Sequence, residues 1–278
     1  MSAEPQSRAL ADLPSAWSRE DEIRRRVAGR PVALFLDYDG TLTPIVADHA
    51  KALLDPQVRE IVARLAARCP VTIVSGRGLA RLREVMALDA IFLAGSHGFE
   101  IAGAEGSGLA LEKGSEFLGR LDAAEGRLRE GLAGIEGHAV ERKKYSIAVH
   151  YRNVVPSEVN RIEGLLETVL DEEPGLHLGH GKKVFELRPG IDWHKGEAVR
   201  WILARLADTR PGIVPVYLGD DITDEDAFRA LAGHGVCIAV RHDETRPTAA
   251  DYTLADTEDV RRFLEWLDDV LAGAREGD

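Results

Sequence analysis

Apolar runs alternate with amphipathic stretches along most of this chain, and the alternation breaks off once. Residues 32–36, 69–74, 90–93, 214–218 and 236–240 are largely apolar and of strand length. Runs like these, with no polar alternate, suit parallel strands buried on both faces. The stretches between them have helical spacing. After Asp55-Pro56, an N-cap with proline in the first turn, Val58, Ile61, Val62 and Leu65 recur at i, i+3, i+4 and i+7. Leu79, Leu82 and Met86 mark a second helix, and Val199, Ile202, Leu203 and Leu206 a third that opens at Lys195-Gly196. Thr257 caps a last helix through Val260, Phe263, Leu264, Leu267 and Leu271, and residues 252–254 predict a short edge strand. At the start of the chain, residues 1–19 predict a poorly ordered lead-in and residues 19–28 a short charged helix. The sum is an α/β fold with a doubly wound parallel sheet.

The break lies between residues 103 and 189. Glycine-rich residues 103–108 read as a linker, followed by a helix over 115–135 with Phe117, Leu118, Leu121, Ala124, Leu128 and Leu132 on one side. Residues 139–143 and 146–152 alternate as a half-exposed antiparallel pair, and Pro156-Ser157 opens a helix through Val159, Ile162, Leu165, Leu166 and Val169. Residues 176–178 and 184–188 predict another pair joined by a Gly179-His180-Gly181 turn. This αββαββ order interrupts the βαβ alternation around it. It predicts an inserted lid domain at 104–189, hinged near Gly103 and Pro189-Gly190, within a core made of 20–103 and 190–278.

Composition narrows the classes of partner. A chain of 278 residues that is 45% hydrophobic can build a full core. A net charge of −12 argues against nucleic acid or an anionic membrane surface as the main partner, so an anionic substrate needs a local basic site. Cys69 and Cys237 sit in or beside apolar runs, which predicts buried thiols in a reducing compartment rather than a disulfide. No apolar run approaches a membrane span, and the first residues lack the basic-then-apolar order of a signal peptide. The expectation is a cytoplasmic protein. The sequence does not set an oligomeric state, and a monomer is compatible with it.

Candidate chemistry gathers where strands end. The 32–36 run leads straight into Asp37 and Asp39, with Gly40 allowing a sharp turn behind them. Paired carboxylates there can hold a hard cation, attack phosphorus and move a proton. Taken alone, the same residues also describe an ordinary turn. Ser75-Gly76-Arg77, read as directly preceding a helix, offers a hydroxyl and an N–H for an anion, or simply an N-cap. Residues 220–226 hold Asp220, Asp221, Asp224, Glu225 and Asp226, five acids in seven positions, which repel one another unless a cation is present. In an open parallel sheet, ligands bind outside the carboxyl ends of strands where strand order reverses. With the 32–36 strand at the centre, Asp37 lies at that point. Asp39 and Asp220 then hold Mg²⁺ beside Asp37, Ser75 and the following N–H groups take a phosphate oxygen, and Lys195 offsets negative charge. His97, in the GSHGFE turn, either reaches the substrate or holds its own turn.

DYDGTL, SGR, the helix-opening Lys195 and GDDITDED together resemble the four motifs of the haloacid dehalogenase superfamily of aspartate-nucleophile phosphatases. More narrowly, LDYDGTLTPIV, GSHGFE, VERKKYSIAVHYRN, KKVFELRPGIDWHKGEA and YLGDDITDEDAF are similar to the trehalose-6-phosphate phosphatase family. That resemblance implies Mg²⁺-dependent hydrolysis of trehalose 6-phosphate to trehalose and phosphate through an aspartyl-phosphate. It makes Asp37 the nucleophile and Asp39 the general acid/base. It also implies Mg²⁺ held by the Asp37 side chain, the Asp39 backbone carbonyl and Asp220, with Asp221 or Asp224 in support. In the lid it implies sugar contacts by Glu141, Lys143 and Glu186. Glu141 and Lys143 are two apart and therefore on one face of a strand, where a carboxylate and an ammonium suit sugar hydroxyls, although a solvated ion pair has the same pattern. His150 and Arg152 read as structural. Two alternatives remain open to the sequence: a related sugar phosphatase or phosphomutase, since fold does not fix substrate, and a sugar-phosphate sensor that binds without turnover.

Overall fold

The computed structural model describes residues 8–46, 52–181, 183–242 and 246–273. They divide into two compact units, one drawn from the described residues within 8–111 and 193–273, the other from those within 112–192. In chain order the first unit begins with β1 (Arg8–Ala9), α1 (Glu20–Val27), β2 (Val32–Leu36), α2 (Pro56–Ala66), β3 (Val71–Val74) and α3 (Leu79–Met86). It continues with β4 (Phe92–Gly95), β5 (Glu100–Ala102) and β6 (Ala110–Glu112), whose last residue opens the second unit. The second unit holds α4 (Leu118–Leu132), β7 (Ala139–Lys143), β8 (Ser146–His150), α5 (Pro156–Glu172), β9 (Leu176–Gly181) and β10 (Val184–Pro189). The chain then returns to the first unit as α6 (Lys195–Ala207), β11 (Val214–Gly219), α7 (Glu225–Leu231), β12 (Val236–Val240), β13 (Pro247–Thr248), β14 (Tyr252–Leu254) and α8 (Thr257–Gly273).

The eight-stranded sheet has the order β14-β12-β11-β2-β3-β4-β5-β6, parallel from β14 to β4. Every residue of β2 is buried, because successive side chains point to opposite faces and both faces are covered. Val32, Leu34 and Leu36 join a core with Ile23, Val62, Leu65, Leu82 and Leu264 from α1, α2, α3 and α8. Ala33 and Phe35 join another with Val199, Ile202 and Phe228 from α6 and α7. Burying each large aliphatic side chain stabilises by about 1.5–3 kcal/mol, and truncating one such as Leu34 to Ala removes about 2–5 kcal/mol. Strand numbers rise away from β2 on both sides, so the order reverses there, and its carboxyl end is where the Asp37 turn begins.

Several expectations are corrected here. The described part of the lead-in is packed: β1 pairs with β13, and Leu10, Leu13 and Ala16 are buried. Those residues fill gaps one at a time, so no helical or strand period announces them; residues 1–7 lie outside the described residues. Residues 103–108, expected as a linker, form a turn inside the sheet, with the Gly103 N–H donating to the Leu109 carbonyl at 2.7 Å. The short strands β5 and β6 have no readable period, and the third core strand runs two residues later than its apolar run suggests.

In the second unit a four-stranded antiparallel sheet has the order β7-β8-β10-β9. Ile147, Val149, Phe185 and Leu187 pack against Leu121, Leu128, Leu132, Ile162, Leu166 and Val169 of α4 and α5. Alternation then puts Glu141, Lys143, Ser146, Ala148, His150 and Glu186 on the other face. The expected Gly179-His180-Gly181 turn is strand instead, with His180 opposite Phe185 and the two rings in edge contact at 5.4 Å. Glycine is tolerated at this edge because β10 supplies the pairing. Among the described residues, no helix is long and apolar enough to cross a membrane.

Candidate active site

The site is built at the carboxyl ends of β2 and β11. The Asp37 N–H continues the ladder, donating to the Leu218 carbonyl at 2.9 Å, and this fixes the Asp37 carboxylate at the strand's end. Gly40 has φ of 85°, and a Cβ there would collide with the Asp220 carboxylate, so the turn needs glycine for both conformation and space. Lys195, in the first turn of α6, is buried, and its Nζ donates to Asp37 Oδ1 and to Asp224 Oδ1, each at 2.7 Å. Burial pulls the Lys195 ammonium down, but the Asp224 and Asp37 charges outweigh it and hold the group well above its ordinary range. Lys195 is therefore a fixed positive charge.

The acidic stretch is less of a metal cage than its composition implies. Asp224 is fully buried and engaged: Oδ1 also accepts from the Tyr217 hydroxyl at 2.6 Å, and Oδ2 accepts from the Asp221 N–H at 3.0 Å. The Asp221 side chain accepts the reciprocal capping-box bond from the Asp224 N–H and is not drawn into the cluster. Glu225, also buried, accepts from Arg246 Nη1 at 2.6 Å and from the Ala249 N–H at 2.8 Å. Asp226 is half-buried beside Arg229. Much of the repulsion expected of five acids is thus offset by Lys195, Arg246 and hydrogen bonds. Asp37 and Asp220 keep the uncompensated part. Burial pushes Asp37 well above the carboxylate range; Lys195 opposes this, and Asp224 and Asp220 add to it. Burial, with Asp224 next, pushes Asp220 up to about 7.

Carboxylate oxygens of Asp37, Asp220 and Asp224 lie within 4.8 Å of one another, all buried. Three carboxylates facing one ammonium leave a deficit of positive charge, and the donors are hard oxygens, so the residues fit a divalent cation such as Mg²⁺. Asp37 and Asp220 are the two that would hold such an ion through their side chains. Asp224, already held on both oxygens, orients Lys195.

The Ser75 loop differs from expectation. α3 begins at Leu79 with Gly78 as its N-cap, and the Leu79 N–H donates to Glu100 Oε2 at 3.3 Å. The helix terminus is therefore already served by a carboxylate, and Ser75-Gly76-Arg77 is a separate loop ahead of it. Ser75 Oγ accepts from the Arg77 N–H at 3.1 Å. The loop is pinned to the next strand: the Ser75 N–H donates to the Ala94 carbonyl, the His97 N–H to the Ser75 carbonyl and the Ser96 N–H to the Arg77 carbonyl. His97 adopts φ of 56° and lays its ring against Gly76, 2.8 Å from where a Cβ would stand. The Arg77 side chain pairs with Asp39 at 2.7 and 2.6 Å.

In the second unit, His150 Nε2 lies 3.0 Å from Glu141 Oε2, Ser146 Oγ donates to Glu186 Oε1 at 2.7 Å, and Lys143 Nζ is 3.7 Å from the same oxygen. Glu141, Lys143 and Glu186 thus share one polar face, with His150 as an added partner. Sequence reasoning missed Tyr217, Glu100, Arg246 and His242, whose Nε2 lies 3.0 Å from the Gly40 carbonyl and 3.7 Å from Asp220. A tyrosine hydroxyl in a strand otherwise built to be buried was the one available signal; the other three sit where no periodicity exists.

The fold, with a lysine-bridged aspartate at the carboxyl end of the central strand, is that of the haloacid dehalogenase-like hydrolases. Within that class the chain belongs to the trehalose-phosphatase family, whose model matches residues 35–258; the family is one of phosphoric monoester hydrolases. It is 40% identical over 268 residues to a trehalose-phosphate phosphatase of Mycobacterium marinum, covering 95% of this chain and 68% of that one. It is also 40% identical over 264 residues to an uncharacterized glycosyl hydrolase of Mycobacterium tuberculosis, covering 93% of this chain but only 20% of that one. The chain therefore spans about a fifth of the length of that second relative. Among solved structures, the C-terminal domain of C. albicans trehalose-6-phosphate phosphatase aligns with a TM-score of 0.77 at 25% identity, covering 92% of this chain and 98% of that one.

Proposed function

We propose that this protein hydrolyses the phosphate monoester of trehalose 6-phosphate, releasing trehalose and phosphate through a phosphorylated Asp37. The observation that carries the reading is the Lys195 ammonium bridging Asp37 and Asp224 beside the Asp220 carboxylate. A structural ion pair needs one carboxylate for its ammonium, whereas here three buried carboxylates, with oxygens within 4.8 Å of one another, surround one.

In the first step an Asp37 oxygen attacks phosphorus, the bond to the sugar oxygen breaks, and Asp39 gives a proton to that oxygen. In the second, Asp39 takes a proton from water, the water oxygen attacks phosphorus, and the bond to Asp37 breaks to restore its carboxylate. Lys195 neutralises charge that accumulates on Asp37 and the transferred group, and the Ser75 hydroxyl with the Gly76 N–H receives a phosphate oxygen. Mg²⁺ held by Asp37 and Asp220 would supply further neutralisation of phosphate charge. Glu141, Lys143 and Glu186 recognise the sugar, the role supported by their common polar face. The reaction belongs to a reducing compartment such as the cytoplasm, where buried Cys69 and Cys237 remain thiols.

The test is phosphate release from a panel of sugar phosphates with Mg²⁺. Trehalose 6-phosphate should be turned over well ahead of glucose 6-phosphate and other monosaccharide phosphates. Equal turnover across the panel would leave a phosphatase of another specificity, and no turnover of any would overturn the reading.

A further inference from the structure

Arg77 has the chemistry of a phosphate ligand, yet its guanidinium is committed elsewhere. Nε donates to Asp39 Oδ2 at 2.7 Å and Nη2 to Asp39 Oδ1 at 2.6 Å, a two-point fork that fixes the plane and rotation of the carboxylate. The guanidinium carbon lies 4.7 Å from the centroid of the Tyr38 ring. Tyr38 is itself fully buried, its hydroxyl donating to the Ala52 carbonyl at 3.1 Å. The Arg77 main chain is held at both ends, its N–H by Ser75 Oγ and its carbonyl by the Ser96 N–H. Its side chain is 9% exposed against 26% for Asp39, so the arginine is the anchored partner and the carboxylate the one that still meets solvent. An arm that reaches for an incoming phosphate would be neither stacked nor pinned in this way.

We infer that Arg77 is a positioning residue: it holds the Asp39 carboxylate in the orientation from which it exchanges a proton with the sugar oxygen and then with water. This rests on the reading of Asp39 as the acid/base. Each carboxylate oxygen accepts one bond from the fork and keeps a second lone pair directed away from it, so the fork orients the group without blocking proton exchange. A lysine at the same place would preserve the charge but not the two-point geometry. Proton transfer by a placed side chain is worth about 10²–10⁴-fold, and a displacement of about 1 Å can remove about 10²-fold of a rate.

A double-mutant cycle tests the inference, with kcat and KM for trehalose 6-phosphate and the Ki of inorganic phosphate measured for each variant. Arg77→Ala should lower kcat by about 10- to 100-fold while KM and the phosphate Ki move by less than about threefold. In an Asp39→Ala background the same substitution should lower kcat by less than about threefold, because no carboxylate remains to be oriented. Arg77→Lys should fall with Arg77→Ala in kcat, and it serves as the test variant if the alanine substitution does not fold. Losses that multiply in the two backgrounds, or a phosphate Ki weakened tenfold or more, would make Arg77 a phosphate ligand and overturn the inference. So would an unchanged kcat in both Arg77 variants. If Asp39→Ala alone keeps the wild-type rate, the acid/base reading fails instead, whatever the Arg77 variants show.

Discussion

The Tyr217 hydroxyl donates to Asp224 Oδ1 at 2.6 Å, the same oxygen that receives the Lys195 ammonium. One carboxylate oxygen therefore aligns two donors, and through Lys195 the alignment reaches Asp37. Tyr217→Phe keeps the ring in its core and removes only this bond. A hydrogen bond to a charged group is worth about 1.5–3 kcal/mol, so Tm should drop by several degrees and kcat by about 3- to 30-fold. Thermal melts and steady-state kinetics on the same preparation check both. A variant with wild-type kcat would confine Tyr217 to packing.

Asp37→Asn is nearly isosteric and keeps the Lys195 contact through a neutral oxygen, so the fold should survive. Turnover should fall below detection because the attacking oxygen is gone. Rapid quenching of the wild-type enzyme should trap phosphate on Asp37, and finding none while turnover proceeds would remove it as nucleophile.

Asp220 ties metal binding to pH. Its ordinary value is 3.8 and the folded protein raises it to about 7, so between those limits the folded state binds more protons than the unfolded state. Stability of the protein in chelator should therefore fall as pH rises from about 4 to about 7, and Mg²⁺ should reverse the loss. Because the ion requires deprotonated carboxylates at Asp220 and at Asp37, which burial also pushes up, its affinity should rise by at least about tenfold per pH unit up to about 7. Calorimetric titration of Mg²⁺ at several pH values checks this. Affinity that is flat from pH 5 to 8 would remove Asp220 as a ligand.

Glu141→Ala or Lys143→Ala should lower kcat/KM for trehalose 6-phosphate by a factor on the order of ten to a thousand, the range for one or two lost charge-assisted hydrogen bonds. Hydrolysis of p-nitrophenyl phosphate, which offers no sugar to this polar face, should hardly change. Equal losses on both substrates would assign these residues to folding of the second unit, and no loss on either would reopen the sugar assignment.

The amino-acid sequence by itself determined the sheet's central strand, the Asp37–Gly40 turn and the place of Lys195 at the start of a helix. A strand buried on both faces must be apolar throughout, so the first residue to break the run marks its end, and chemistry at strand ends is legible from that break. The helices were legible for the same reason, since a stripe at i, i+3, i+4 and i+7 survives without knowledge of its partner. Only the tertiary structure decided how charge is distributed within that frame. Five acids in seven residues read alike, yet Lys195 and Tyr217 satisfy Asp224, Arg246 satisfies Glu225, and Asp220 is gathered with Asp37 and Asp224 into one buried cluster. Nothing in the order of residues pairs the Arg77 guanidinium with Asp39, 38 positions away, yet the fold joins them. Coulomb energy depends on distance and burial rather than on order along the chain, so which charges meet is settled only when the strands that carry them come together.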